Sequence, residues 1–522
     1  MQMQPNIVIV MTDQHRADLR AGLGYALDTM PFLDKWAAEG MDFRRAYTPN
    51  PCCVPARVSM FTGRYPSCHT VRTNHNVDDA LYGEDLLDVL KRCGYTTALC
   101  GKNHTYRSPK DFDFHACTGH LGGKPGADAD EADIAFAEFL NRTKHNESHI
   151  PSPGGVMAQH PYKNVSSAFK FIDEHAGKQP FFIWLSFAEP HNPCQVPEPY
   201  FDMFPPESLP PLAAGADMLP AKGPFFEWER AGWETAMGAE IEARIQRTRS
   251  NYHGMLRLID DQFKRFIEGL ETRGLRENTI VVFLSDHGEF AGEYGLLRKG
   301  VGLPEVLTRV TMAWQGPGIA RKVVNDEACV NLVDILPTVC DLLDTEIPFG
   351  SQGRSLLPLL CGGACPPGEF DVGYSEFGFG GLYWNDRDHL TPVDDRTLSE
   401  DKKTFVCMGS HTQSGQTRMA RKGDYKIQLD MMGTGYLYNL KEDPAELYNL
   451  WDEPDCLPIK ADMLACLASA MLRAADPIPA PHHRYRTKVH PKGYWFDDAY
   501  IAEDPGVRME RLADFAVHDD RT

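Results

Sequence analysis

The sequence predicts an α/β protein: a mostly parallel central sheet with helices on both faces, plus a smaller C-terminal antiparallel sheet and helix. Three observations predict it. Short β-branched apolar runs recur, stretches of helical periodicity separate them, and polar residues stand just after the runs.

Taken in order, residues 6–11 (Asn-Ile-Val-Ile-Val-Met) are too few and too branched for a buried helix and read as a central parallel strand. Asp28 and Thr29 offer a cap and Pro31 an early proline for a helix through Glu39, which Gly40 ends. Residues 96–99, 181–186 and 279–284 repeat the strand pattern. Between 239 and 273, Ile241, Ile245, Met255, Leu256, Ile259, Phe263 and Phe266 keep broadly helical spacing until Gly274 stops the helix. After about residue 400 come two short segments, 424–429 and 435–440, and a helix near 459–475. The organisation expected is a main α/β domain over 1–400 and a smaller α+β subdomain over 401–522. Its tail, with His482-His483-Arg484-Tyr485-Arg486, is expected to wrap over the subunit or a partner.

The 522 residues carry a formal charge of −20, with no long Lys/Arg run. This excludes a nucleic-acid partner and an anionic membrane surface. Salt screens the general field beyond about 8 Å, so a local cationic pocket can still capture an anionic ester group. Fourteen cysteines without a paired zinc-type array read as free thiols of a reducing compartment. No basic n-region opens the chain and no apolar run reaches spanning length, so a cytoplasmic protein is expected. Homo-oligomerisation is left open.

In such sheets ligands collect beyond the carboxyl ends of the strands. Asp13, Lys102, His191 and the pair Asp286-His287 each follow one of the four runs, and convergence on one cleft is expected. Cys53, two residues before Pro55, would sit at a helix N-terminus, where partial positive charge favours an anionic nucleophile. It is expected in a surface cleft; the alternative is a buried inert thiol, the role expected of Cys52. Asp13-Gln14 and Asp286-His287 pair two carboxylates with an amide oxygen and an imidazole, a set suited to Ca²⁺, Mg²⁺ or Mn²⁺. Each Asp alone would serve as well as a helix cap.

The run Cys53-Val54-Pro55-Ala56-Arg57, followed by Thr62-Gly63-Arg64, resembles the C-x-P-x-R signature of the sulfatase family. Residues 94–104, from Gly94-Tyr95 through Gly101-Lys102-Asn103-His104, resemble the second family signature, G-Y-x-T-x-x-x-G-K-x-H. The resemblance covers at least residues 6–450. It implies that a maturation enzyme oxidises Cys53 to Cα-formylglycine, whose hydrated aldehyde attacks the sulfur of a sulfate ester. It also implies a cation, Ca²⁺ with Mn²⁺ or Mg²⁺ as alternatives, on Asp13, Gln14, Asp286, His287 and the modified Cys53. Arg57 would hold the formylglycine turn, Lys102 would contact formylglycine and sulfate, and His104 would contact a formylglycine hydroxyl. His191, Lys299 and Asn74 correspond to sulfate-site residues, and Asp443-Pro444-Ala445-Glu446 with Asn449-Leu450 to a structural pattern.

The implied substrate is a small-molecule or saccharide sulfate ester. Phosphonate monoester hydrolases and phosphodiesterases share the fold and motif but replace the lysine and histidine of the second signature, so Lys102 and His104 favour sulfate. A non-catalytic, anion-binding homologue should have lost a nucleophile, a carboxylate or a lysine, and none is missing. Leaving-group specificity is expected in the loops 105–180, 194–238 and 370–420.

Overall fold

The computed structural model describes residues 4–126, 129–378, 415–476 and 490–496. The segment 482–486 and most of the 370–420 loop lie outside them.

The large sheet is built from β1 (Asn6–Asp13), β2 (Met41–Tyr47), β3 (Thr96–Gly101), β4 (Phe114–Ala116), β5 (Phe181–Pro190), β6 (Thr279–Ser285), β7 (Arg309–Gln315) and β8 (Val323–Asn331). Its order is β4-β3-β5-β1-β6-β7-β2-β8. Neighbours are parallel except that β7 runs against both β6 and β2.

β1 lies between β5 and β6 and is buried along its whole length. Successive side chains of a strand point to opposite faces, so this one strand feeds two cores. Ile7, Ile9 and Met11 pack with Phe61, Trp184 and Leu336 on one side. Val8 and Val10 pack with Phe171, Leu256 and Phe263 on the other. A strand apolar at every position is what a sheet covered by helices on both faces requires.

The helix Pro31–Glu39 forms where expected, but its cap comes from elsewhere. Met30 is the N-cap and makes no side-chain bond, while the Thr29 hydroxyl donates to the Leu19 carbonyl. The free N–H groups of Phe32 and Leu33 donate instead to the two oxygens of Asp260, at 2.8 and 2.7 Å. Asp260 belongs to the long helix Ile241–Thr272, which lies against this face of the sheet. A tertiary contact thus does the work that local sequence offered to Asp28 and Thr29.

The second sheet is antiparallel, with β9 (Val372–Phe377), β10 (Thr417–Lys422), β11 (Tyr425–Asp430) and β12 (Gly435–Asn439) in the order β12-β11-β10-β9. Met463 and Leu467 of the helix Leu457–Ala474 pack on Tyr374, Ile427 and Leu437. β9 precedes residue 400, so the smaller sheet takes an edge strand from the chain before that boundary. Buried Lys426 of β11 pins this sheet to the larger body, its Nζ lying 3.1 Å from Glu305 Oε1 and 2.9 Å from Glu446 Oε1. Among the described residues no helix is long and apolar enough to cross a membrane.

Candidate active site

Sheet register explains why residues far apart in sequence meet. Gly101 pairs with Ser186, Asp13 with Pro190 and Thr12 with Ser285, so β3, β5, β1 and β6 end side by side. Beyond those ends the chain places Lys102, His191, Asp13-Gln14 and Asp286-His287. The Lys102 N–H donates to the Ser186 carbonyl at 2.8 Å and the Asp286 N–H to the Thr12 carbonyl at 3.1 Å, extending the pairing into the site. Gly101 permits this approach: at φ +115° a Cβ there would stand 1.9 Å from the Ser186 oxygen.

Cys53 is the first residue of the helix Cys53–Thr62, preceded by Cys52 in an extended conformation. Asn74 caps this end, its Oδ1 accepting from the Val54 N–H at 3.0 Å and from the Cys52 thiol at 3.1 Å. Cys53 is 0% exposed, so it forms the floor of the site rather than the wall of a surface cleft. Its burial comes from chain that follows much later, including His287 and Lys299.

The surroundings of Cys53 Sγ are polar and include a fixed cation. Lys299 Nζ lies 2.9 Å away, His287 Nε2 3.1 Å and Asp13 Oδ1 3.4 Å. The side chains of His104 and His191 also stand near enough to interact with it. Burial pushes the Cys52 thiol up to about 12, as for an inert core cysteine. Burial acts on Cys53 in the same sense, but Lys102, Lys299 and His287 outweigh it and hold the thiol well below its usual range. Adjacent residues of one type thus acquire opposite chemistry.

Behind Cys53, fully buried Arg57 joins the two carboxylates: Nε donates to Asp286 Oδ2 at 2.8 Å and Nη2 to Asp13 Oδ2 at 2.9 Å. Its Nη1 donates to Ser186 Oγ at 2.8 Å and to the Lys102 carbonyl at 3.2 Å. Burial and the nearby Cys53 oppose charge on Asp13, yet Lys102 and Arg57 prevail and its carboxyl stays well below the ordinary range. Asp286 is pushed up to about 6 by burial and by the charge of Asp13.

One ligand atom from each of Asp13, Cys53, Asp286 and His287 lies within 4.8 Å of all the others, and all four residues are buried. His287 Nδ1 faces the Gly288 carbonyl at 2.8 Å, which turns Nε2 to the site. The Gln14 amide nitrogen donates to Glu289, leaving Oε1 to accept from Lys299 Nζ at 3.1 Å. The same ammonium touches Cys53 Sγ and His287 Nε2. Donors of this kind already gathered round a positive charge fit a hard divalent cation.

The structure gathers Asp13, Gln14, Cys53, Arg57, Lys102, His104, His191, Asp286, His287 and Lys299 around one point, whereas Asn74, expected at the sulfate, is engaged as the helix cap, and one residue that sequence reading missed joins the group. His120, from the segment between β4 and the next helix, places Nε2 2.7 Å from Lys102 Nζ. Its ring stacks on His191 with centroids 3.9 Å apart and planes at 26°. The only local signal was a titratable side chain among glycines shortly after the Lys102 strand. Asp13, His120 and His191 also form a ligand-like trio, but the Lys102 ammonium bridges Asp13 and His120.

Fold and site together define a hydrolase of the alkaline phosphatase-like superfamily. The phosphonate monoester hydrolase of Agrobacterium radiobacter superposes with a TM-score of 0.72 at 22% identity, covering 95% of this chain and 100% of that one, which shows the shared fold. The family model described as Sulfatase matches residues 5–345. An arylsulfatase of Clostridium perfringens (strain 13 / Type A) is 28% identical over 481 residues, 86% of this chain and 90% of its own. An ulvan-active sulfatase of Formosa agariphila is 31% identical over 370 residues, 68% of this chain and 65% of its own. The chain belongs to the sulfatase family and is a sulfuric ester hydrolase.

Proposed function

We propose that the protein hydrolyses the sulfate monoester of a sugar or aryl alcohol, with a formylglycine made from Cys53 and a divalent cation, Ca²⁺ ahead of Mn²⁺ or Mg²⁺. The observation that carries this reading is the convergence of Lys299, His287, Asp13, His104 and His191 on one sulfur atom. That sulfur stands in for the hydroxyls of a hydrated aldehyde. When present, the aldehyde hydrate supplies a nucleophilic oxygen and the cation lowers its pKa and draws charge from a sulfate oxygen.

The side chains divide the remaining work. Asp13, Gln14, Asp286 and His287 would hold the cation together with residue 53, and Arg57 keeps the two carboxylates aimed. Lys102 and Lys299 face the oxygens on which charge develops, where fixed donors in a site closed to water act most strongly. Burial opposes the charge on Lys299, but Cys53, Cys52 and Asp13 more than offset it and keep the ammonium protonated. Lys299 Nζ or His191 Nε2 donates a proton to the departing alcohol oxygen. His191 Nδ1 donates to the Asn192 carbonyl at 2.7 Å and burial lowers the ring's pKa to about 4, so its Nε2 carries a lone pair and fills this role only after taking up a proton. His104 Nδ1 has no partner among the described residues, and burial keeps the ring neutral beside residue 53, which suits it to take a hydroxyl proton.

The phosphonate monoester alternative rests on the shared fold. Lys102 and His104, both turned to the reacting centre, support sulfate over it. A saccharide substrate draws support from the relative named as ulvan-active. The described cysteines form no disulfide, which supports a reducing, cytoplasmic location. The test is a desulfation screen of sulfated sugars and aryl sulfates, on metal-loaded protein with verified conversion at residue 53. Turnover of at least one class is expected; none across the panel overturns the reading.

A further inference from the structure

We infer that His120 is a positioning residue that aims the Lys102 ammonium at the transferring group. The inference rests on the sulfate-ester reading for its catalytic meaning, and on geometry for its content. An ammonium has donors only. Lys102 Nζ directs one N–H to Asp13 Oδ2 and another to His120 Nε2, 2.7 Å away. His120 Nε2 is therefore the lone-pair nitrogen, and the ring proton sits on Nδ1.

The surroundings suit that neutral tautomer. Burial first, with the His191 ring and the Lys102 ammonium beside it, holds His120 well below the usual histidine range. Nδ1 has no partner among the described residues. The small cavity beside it is lined by His120, His160, Glu189, His191 and Gln195. Glu189 Oε2 and Gln195 Oε1 are likewise buried without a partner among the described residues. One donor and two acceptors facing the same small cavity are complementary in kind. The stack on His191 fixes the plane of the ring.

A lysine bonded to Asp13 alone would collapse onto that carboxylate and serve only as its counter-ion. His120 pulls the ammonium from the opposite side and takes freedom from a flexible four-carbon stem, which is preorganisation of an electrostatic contact.

The test compares His120→Gln, whose Oε1 can accept from Lys102, with His120→Leu, which cannot, on fully converted protein and an aryl sulfate. His120→Gln should stay within about 5-fold of wild-type kcat/KM and His120→Leu should fall by roughly 30-fold or more. In a Lys102→Ala background His120→Leu should cost less than about 3-fold further, because a residue acting through Lys102 has nothing left to position. Equal losses in Gln and Leu, wild-type activity in Leu, or a fully multiplicative double mutant would each overturn the inference. If the Leu variant does not fold, His120→Ala enters the same cycle. If wild type hydrolyses no sulfate ester, the reaction assigned above fails, and neutron diffraction still decides this point. A proton on Nδ1 facing away from Lys102 supports the assignment; a proton on Nε2 overturns it.

Discussion

Arg57 Nε donates to Asp286 Oδ2 at 2.8 Å, and neither side chain has any exposure to water. Two carboxylates whose oxygens must face a cation cannot also face each other, and a guanidinium behind them satisfies the oxygens turned away.

Removing that guanidinium strands two buried carboxylates. Arg57→Ala should lower stability by about 3–5 kcal/mol, the usual result of breaking a buried pair from one side. It should also reduce the metal retained after gel filtration. An unchanged melting curve together with full metal content would show that Arg57 is not the brace.

Cys53→Ala should abolish turnover while the protein still unfolds in one cooperative transition, since the sheet and its two cores do not involve this side chain. The mass of the tryptic peptide bearing residue 53 should show the aldehyde in active wild type. Residual turnover above background in the alanine variant would count against residue 53 as nucleophile.

Chelation should remove activity, and Ca²⁺ should restore it best, given the two carboxylates, one amide oxygen and one imidazole. The check is metal analysis before and after rescue. Undiminished turnover by protein verified free of divalent metal would refute the site.

Lys102→Ala and Lys299→Ala should each lower kcat/KM by roughly 10²-fold or more, the scale for one preorganised electrostatic contact. The intact enzyme should prefer an aryl or sugar sulfate to the matching phosphonate monoester. Faster phosphonate hydrolysis would move the protein to the alternative reading.

Glu147 supplies a pH dependence away from the metal ligands. Burial raises its pKa, but bonds from His149 and from Arg244 Nε at 2.7 Å outweigh this and bring it down to about 2. The charged form is favoured in the folded state, so the contribution, roughly 3 kcal/mol, is present above pH 4.5 and lost as pH falls toward 2. The stability gap between wild type and Glu147→Gln should therefore shrink between pH 5 and pH 3. A gap independent of pH over that range would disprove the assignment.

Much of this was readable in the chain. β1, β3, β5 and β6 announce themselves because strands buried on both faces are apolar at successive positions, and the site residues follow because chemistry collects at their carboxyl ends. Asp260 could not be read as the cap of Pro31–Glu39, since Asp28 and Thr29 were nearer and only packing chooses between them. His120 lay hidden because neither periodicity nor strand-end position marks a histidine in a glycine-rich loop. The depth of Cys53 escaped for a related reason: its cover is brought by chain more than two hundred residues downstream.

That distance has a temporal meaning. Residue 53 leaves the ribosome well before the residues that seal it, with His287 following 234 positions later and Lys299 following 246. At ordinary rates of synthesis the interval is on the order of tens of seconds. During it β1 still lacks β6, one of its two flanking partners, and the thiol lacks the His287 and Lys299 side chains that bond to it in the folded protein. If residue 53 is oxidised as proposed, the partner enzyme would have its access in that window, and refolded chains that were never modified while nascent should stay thiols however long the enzyme is supplied.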